Sequence, residues 1–109
     1  MIPFCQPTLE GNEEKYMLDC LKSKWIGGKG EYINKFEKKF AEFCDCQYGI
    51  ATTSGTTALH LALVSLGIEK GDEVIVPTFT MISPMKAVWY TGAKPVLVDA
   101  DPKTWNIDA

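Results

Sequence analysis

Apolar positions along this chain follow a helical period in its first half and a strand–helix alternation from about residue 48 onward. The first nine residues carry Pro3 and Pro7 and read as extended. Tyr16, Met17, Cys20 and Leu21 share one helical face and predict a helix over about 12–22. Tyr32, Ile33, Phe36, Phe40 and Phe43 predict a second helix over about 31–44, with the phenylalanines as a core stripe. Trp25-Ile26-Gly27-Gly28-Lys29-Gly30 is a glycine-rich loop between the two.

In the second half, 48–52 reads as a strand and 54–66 as a helix stopped by Gly67 at its C′ position. Gly71-Asp72 is a turn, 73–76 a short strand ended by Pro77, and a helix begins at Met81 or Ser83 and is stopped by Gly92. The segment 95–98 reads as a third strand. Residues 104–109 read as the approach to another helix, with Asp108 as N-cap. Three strands joined by helices predict right-handed crossovers and a parallel sheet, an α/β fold. A sheet so thin predicts a marginally stable monomer.

Composition narrows the chemistry. The 109 residues suit one small domain, and 46% apolar with 23% charged is ordinary globular usage. A net charge of −3 gives no reason to expect nucleic acid or an anionic membrane. All 11 basic residues are lysines, so two-point recognition of an anion by guanidinium is unavailable within the chain. Cys44-Asp45-Cys46 lacks zinc-site spacing, and with a single histidine no metal site is expected. Cys5 and Cys20 read as small buried hydrophobes, and reduced thiols suit the cytosol. No membrane-spanning stretch or signal peptide is evident.

Two hydroxyl-rich segments follow predicted strands, 52–57 and 77–83, the position where open α/β sheets bind ligands. Ser54-Gly55-Thr56-Thr57 stands at a helix start, where unpaired N–H groups and the helix dipole favour a phosphate. Gly55 allows close backbone approach. On local sequence alone the same residues read first as an ordinary N-cap by Ser54. Elsewhere the plain structural reading prevails. His60 is a packing histidine, Phe79 core, Trp89 and Tyr90 core or interface, and Asp99 and Asp101 form a turn rather than a catalytic pair.

Three segments then form a pattern in order and spacing: Ser54-Gly55-Thr56-Thr57-Ala58-Leu59-His60, Gly71-Asp72-Glu73-Val74-Ile75-Val76-Pro77-Thr78-Phe79-Thr80, and Gly92-Ala93-Lys94-Pro95-Val96-Leu97-Val98-Asp99. They resemble the pyridoxal-phosphate-dependent nucleotide-sugar aminotransferases of the DegT/DnrJ/EryC1/StrS family. Ile2-Pro3, Gly11-Asn12-Glu13, and Trp25 with its glycine loop fit the same family, so the resemblance spans essentially the whole chain. It implies that residues 1–109 are the N-terminal part of a fold type I large domain, a parallel-sheet core with flanking helices, from a cytoplasmic homodimer.

The resemblance further implies that in the intact enzyme Ser54, Gly55 and Thr56 hold the phosphate of pyridoxal 5′-phosphate, mainly through backbone N–H groups, and that this chain alone binds the cofactor weakly or not at all. Met81 matches the position where the family places an aromatic residue on the pyridine ring; its thioether is a softer platform. Trp25 resembles a position that lines the sugar site. Ser83-Pro84-Met85-Lys86 departs from the family's small residues followed by asparagine, and Pro84 fits a first helical turn capped by Ser83. The family's cofactor-binding lysine and ring-nitrogen carboxylate lie downstream of the matched segment. No lysine here matches, so no catalytic residue is assigned, and the chain is expected to be inactive alone. The intact enzyme is expected to move an amino group from an amino acid, glutamate by expectation, to a 4-keto nucleotide sugar. The alternatives are a fragment of a sugar dehydratase on the same scaffold, and a non-catalytic binding or dimerisation remnant.

Overall fold

Acidic residues and a reversed turn set the limits of the first helix, α1 (Glu13–Ser23). Glu13 and Glu14 lie in its first turn and Lys22 in its last, the arrangement the helix dipole favours. Lys24 ends it at φ 61°, with its N–H donating to the Leu21 carbonyl at 3.2 Å. This computed structural model describes residues 2, 3 and 5–108, in two units, 1–51 and 52–109.

In the first unit α1 is followed by α2 (Glu31–Phe43). The two meet where the Tyr16 and Tyr32 rings lie 5.1 Å apart and the Tyr32 hydroxyl donates to Asp19 at 3.0 Å. Partial burial, and then that hydrogen bond, raise the Tyr32 phenol pKa above its ordinary value. Past α2, Asp45 turns left-handed at φ 52°, Cys46 N–H donates to the Ala41 carbonyl at 2.9 Å and Asp45 N–H to that of Glu42 at 3.3 Å. This is a Schellman ending with aspartate where glycine is preferred. The chain then runs back along α2. A Cβ on Gly49 would lie 2.6 Å from the Glu37 carbonyl oxygen, and Ala51 N–H donates to the Glu37 carboxylate at 2.8 Å.

That path corrects the expected strand at 48–52. A strand is defined by a ladder partner, and this segment bonds to a helix side chain instead. The phenylalanine stripe of α2 is also corrected. Phe36 and Phe40 stack at 5.4 Å and Phe43 tilts against Phe40 at 6.4 Å, yet the three are 55%, 52% and 86% exposed. Only Ala41 of α2 is buried, because so little chain is present to cover its apolar face. For the same reason Cys5 is exposed and Cys20 half-buried.

The second unit runs α3 (Gly55–Ser65), β1 (Glu73–Pro77), α4 (Ser83–Thr91) and β2 (Lys94–Val98). Gly67 at φ 80° closes α3, with Ile68 N–H donating to the Leu63 carbonyl. Gly92 at φ 84° closes α4. β1 and β2 pair in parallel from Glu73↔Lys94 to Pro77↔Val98, so among the described residues the sheet has two strands rather than the expected three. Its first register pair is reinforced by the Lys94 ammonium on Glu73 at 2.7 Å, which raises the lysine pKa. Val76, Val88 and Ala93 form the core, with Leu63, Ile68, Val74 and Met85 packed against it. The α/β class holds, and the core is small enough to leave Trp89 and Tyr90 more than half exposed rather than buried. His60 does pack, edge-on to Tyr90 at 5.6 Å. Phe79 is exposed and tilts against Trp105 at 4.9 Å. Residues 100 and 107 form an antiparallel bridge. Asp108 N–H donates to the Asp99 carbonyl, and a helix begun after it lies outside the described residues.

Candidate functional site

Ser54 sits at the N-cap of α3 in extended conformation (φ −164°, ψ 164°). Its hydroxyl accepts the Thr57 N–H at 3.3 Å, the Thr57 hydroxyl oxygen accepts the Ser54 N–H at 3.0 Å, and that hydroxyl donates to the Ser54 carbonyl at 2.8 Å. This is a capping box with threonine in the place usually taken by glutamate. The N-cap reading of Ser54 is therefore correct. It leaves two donors over: among the described residues, the N–H groups of Gly55 and Thr56 meet no protein acceptor.

These two N–H groups stand at the positive end of an 11-residue helix. A Cβ on Gly55 would meet no heavy atom within 4 Å, so the space beside the first helical residue is open. Two free donors, a helix dipole and an open approach fit a phosphate group, the charge being met without a guanidinium. The hydroxyls contribute less than the sequence suggests, since those of Thr56 and Thr57 already donate to protein oxygens.

The Thr56 hydroxyl donates to Ser83 Oγ at 2.9 Å. This bond joins the first turns of α3 and α4 and brings the two hydroxyl-rich segments together. Ser83 is thus corrected from helix cap to first helical residue: Ile82 holds the N-cap position with no side-chain bond. Pro84 falls in the first turn, where a missing N–H costs no helical bond. Met81, two residues before Ser83, is 77% exposed and borders a small cleft with Val76, Thr80 and Met85. The C-terminal end of β1, from which this segment leaves, is secured by Thr78, whose N–H donates to the Val98 carbonyl at 2.9 Å and whose hydroxyl donates to Asp99 at 3.2 Å. Trp25 belongs to the first unit, where it is exposed beside a cleft of about 760 Å³ shared with Met17, Leu21 and Tyr32.

In the second unit, Asp101 accepts from Thr104 N–H at 2.7 Å, the Thr104 hydroxyl at 3.0 Å and Lys103 N–H at 2.9 Å. The Thr104 bonds first, then that of Lys103, lower its pKa below the ordinary carboxylate value. It is a turn-forming aspartate, as its place before Pro102 suggests. Among the described residues, no helix is long and apolar enough to cross a membrane.

The strand pairing and helix order are those of a fold type I fragment. The chain belongs to the DegT/DnrJ/EryC1/StrS aminotransferase family, whose profile matches residues 7–109. It is 55% identical over 106 residues to the GDP-perosamine synthase of Escherichia coli O157:H7, covering 97% of this chain and 29% of that one. Among solved structures it resembles a putative sugar aminotransferase, Spr1654 from Streptococcus pneumoniae in its PMP-form. The TM-score is 0.89 and the identity 33%, over 98% of this chain and 27% of that one. It also resembles the E. coli GDP-4-keto-6-deoxy-D-mannose-3-dehydratase with bound hydrated PLP, at TM-score 0.84 and 31% identity, over 97% and 28% of the two chains. The chain spans less than a third of the length of these relatives.

Proposed function

We propose that residues 1–109 are the N-terminal part of the cofactor-binding domain of a nucleotide-sugar aminotransferase of the GDP-perosamine synthase kind. The observation that carries this reading is the pair of open N–H groups at Gly55 and Thr56, at the helix start where the resemblance implies the cofactor phosphate. Gly55 and Thr56 bind the phosphate through backbone N–H, and Ser54 fixes the helix start that aims them. Met81 would meet the cofactor ring, and Trp25, in the first unit, is proposed by itself as a sugar-binding residue. Pyridoxal 5′-phosphate, when bound, supplies the electron sink that amino-group transfer requires. The lysine and carboxylate that complete such a site have no match among these residues, so the chain does not transaminate alone.

The intact enzyme takes an amino group from an amino acid, glutamate on the family pattern, and delivers it to C4 of a GDP-linked 4-keto sugar. It works in the cytoplasm as a homodimer that supplies polysaccharide synthesis. The dehydratase reading draws on the 31% likeness to the E. coli dehydratase; the 55% identity to a perosamine synthase favours amino transfer. The test is a fusion in which this chain replaces the matching segment of the E. coli O157:H7 synthase. The fusion should retain the cofactor and form the 4-amino sugar, read by mass spectrometry. A folded, dimeric fusion that loses the cofactor would contradict the assignment.

A further inference from the structure

We infer that Ser83 is a positioning residue: by accepting the Thr56 hydroxyl at 2.9 Å it holds Met81 beside the phosphate-binding turn. The inference rests on the phosphate reading of the α3 start given above. Three observations lead to it. Thr56 is the second residue of α3 and Ser83 the first of α4, so one side-chain bond ties two helix starts that are 27 residues apart in sequence. The α4 start has no side-chain cap of its own, and this side-chain bond ties its first residue to α3. Met81 is two residues from Ser83, hence within about 7.5 Å of it along the backbone. It is exposed, so few packing contacts of its own fix its place.

The bond also decides what Thr56 does. Its hydroxyl proton goes to Ser83, so Thr56 faces a phosphate with its N–H and serves the ring through Ser83. Phosphate affinity and ring affinity are therefore separable in this chain. The Gly55 and Thr56 N–H groups set the first, and the Thr56–Ser83–Met81 connection sets the second.

Two probes read the two parts. Inorganic phosphate engages the helix start alone. Pyridoxamine 5′-phosphate adds the ring and has no aldehyde to react with the surface lysines. Dissociation constants for both would be measured on the full 109-residue chain from the Gly55 and Thr56 amide resonances. The parent should bind pyridoxamine phosphate more tightly than phosphate. Ser83→Ala should weaken pyridoxamine phosphate about three- to tenfold, the range of one hydrogen bond, and leave phosphate unchanged. Ser83→Thr should restore the parent value, and Ser83→Ala should add nothing in a Met81→Ala background. A Ser83→Ala chain that holds pyridoxamine phosphate like the parent, or weakens both probes equally, overturns the positioning role. So does a parent that binds the two probes alike. A parent whose Gly55 and Thr56 amides ignore both probes removes the phosphate reading itself, and this inference with it.

Discussion

Two substitutions at adjacent residues separate the capping role of the α3 start from its binding role. Gly55 is the first residue of α3, and the space its Cβ would occupy is empty to 4 Å. A Cβ at residue 55 therefore meets no protein atom outside its own turn, and for Gly55→Val the stability of the chain should change by less than about 1 kcal/mol, in either direction. The branched side chain would fill the space through which an anion reaches the Gly55 and Thr56 N–H groups. A hydrogen bond to a charged group contributes about 1.5–3 kcal/mol. Losing even one should weaken pyridoxamine phosphate by about tenfold to a hundredfold. Ser54→Ala does the reverse. It removes the acceptor of the Thr57 N–H and should cost about 1 kcal/mol of stability. Both open N–H groups stay in place, so binding should fall by less than in Gly55→Val. Thermal melts followed by circular dichroism and titration calorimetry with pyridoxamine phosphate measure both effects. If Gly55→Val binds as tightly as the parent, the phosphate does not sit at this helix start.

Met81→Tyr should preserve or tighten pyridoxamine phosphate binding, because a flat ring stacks better than a flexible thioether; calorimetry on the variant checks it. Asp45→Gly should stabilise the chain by roughly 1 kcal/mol, since glycine relieves the left-handed residue of the α2 Schellman turn, and a rise in Tm measures it. Asp101 has a lowered pKa in the folded chain, so its contribution to stability is present above the ordinary aspartate range and is lost as pH falls through the lowered value. The Lys103 and Thr104 amide resonances should therefore hold their positions across the ordinary aspartate range and move only below it; movement at the ordinary value would contradict the turn.

Helix limits are legible in this sequence because local chemistry carries them. Ser54, Gly67 and Gly92 each act within a turn of their own position, and the structure places α3 and α4 between them. The parallel pairing of β1 and β2 is legible for a similar reason, since α4 connects the two strands within one short segment. Segment 48–52 has strand composition, but a strand exists only against a neighbour, and here Glu37 takes the Ala51 N–H instead. The Phe36, Phe40 and Phe43 spacing identifies which face of α2 is apolar and carries no information on what covers it. At the site, the Ser-Gly-Thr start reads directly as a phosphate-capable helix end. The Ser83-Pro84 pair reads as a local cap, and only three-dimensional placement reveals that Ser83 serves Thr56 across 27 residues.

The central claim, that the start of α3 holds the cofactor phosphate, is tested most directly by titrating the isotope-labelled chain with inorganic phosphate and following every backbone amide. The Gly55 and Thr56 resonances should show the largest, saturable shifts, ahead of those at the starts of α1, α2 and α4. Equal small shifts at all four helix starts, or a largest response elsewhere, would contradict it.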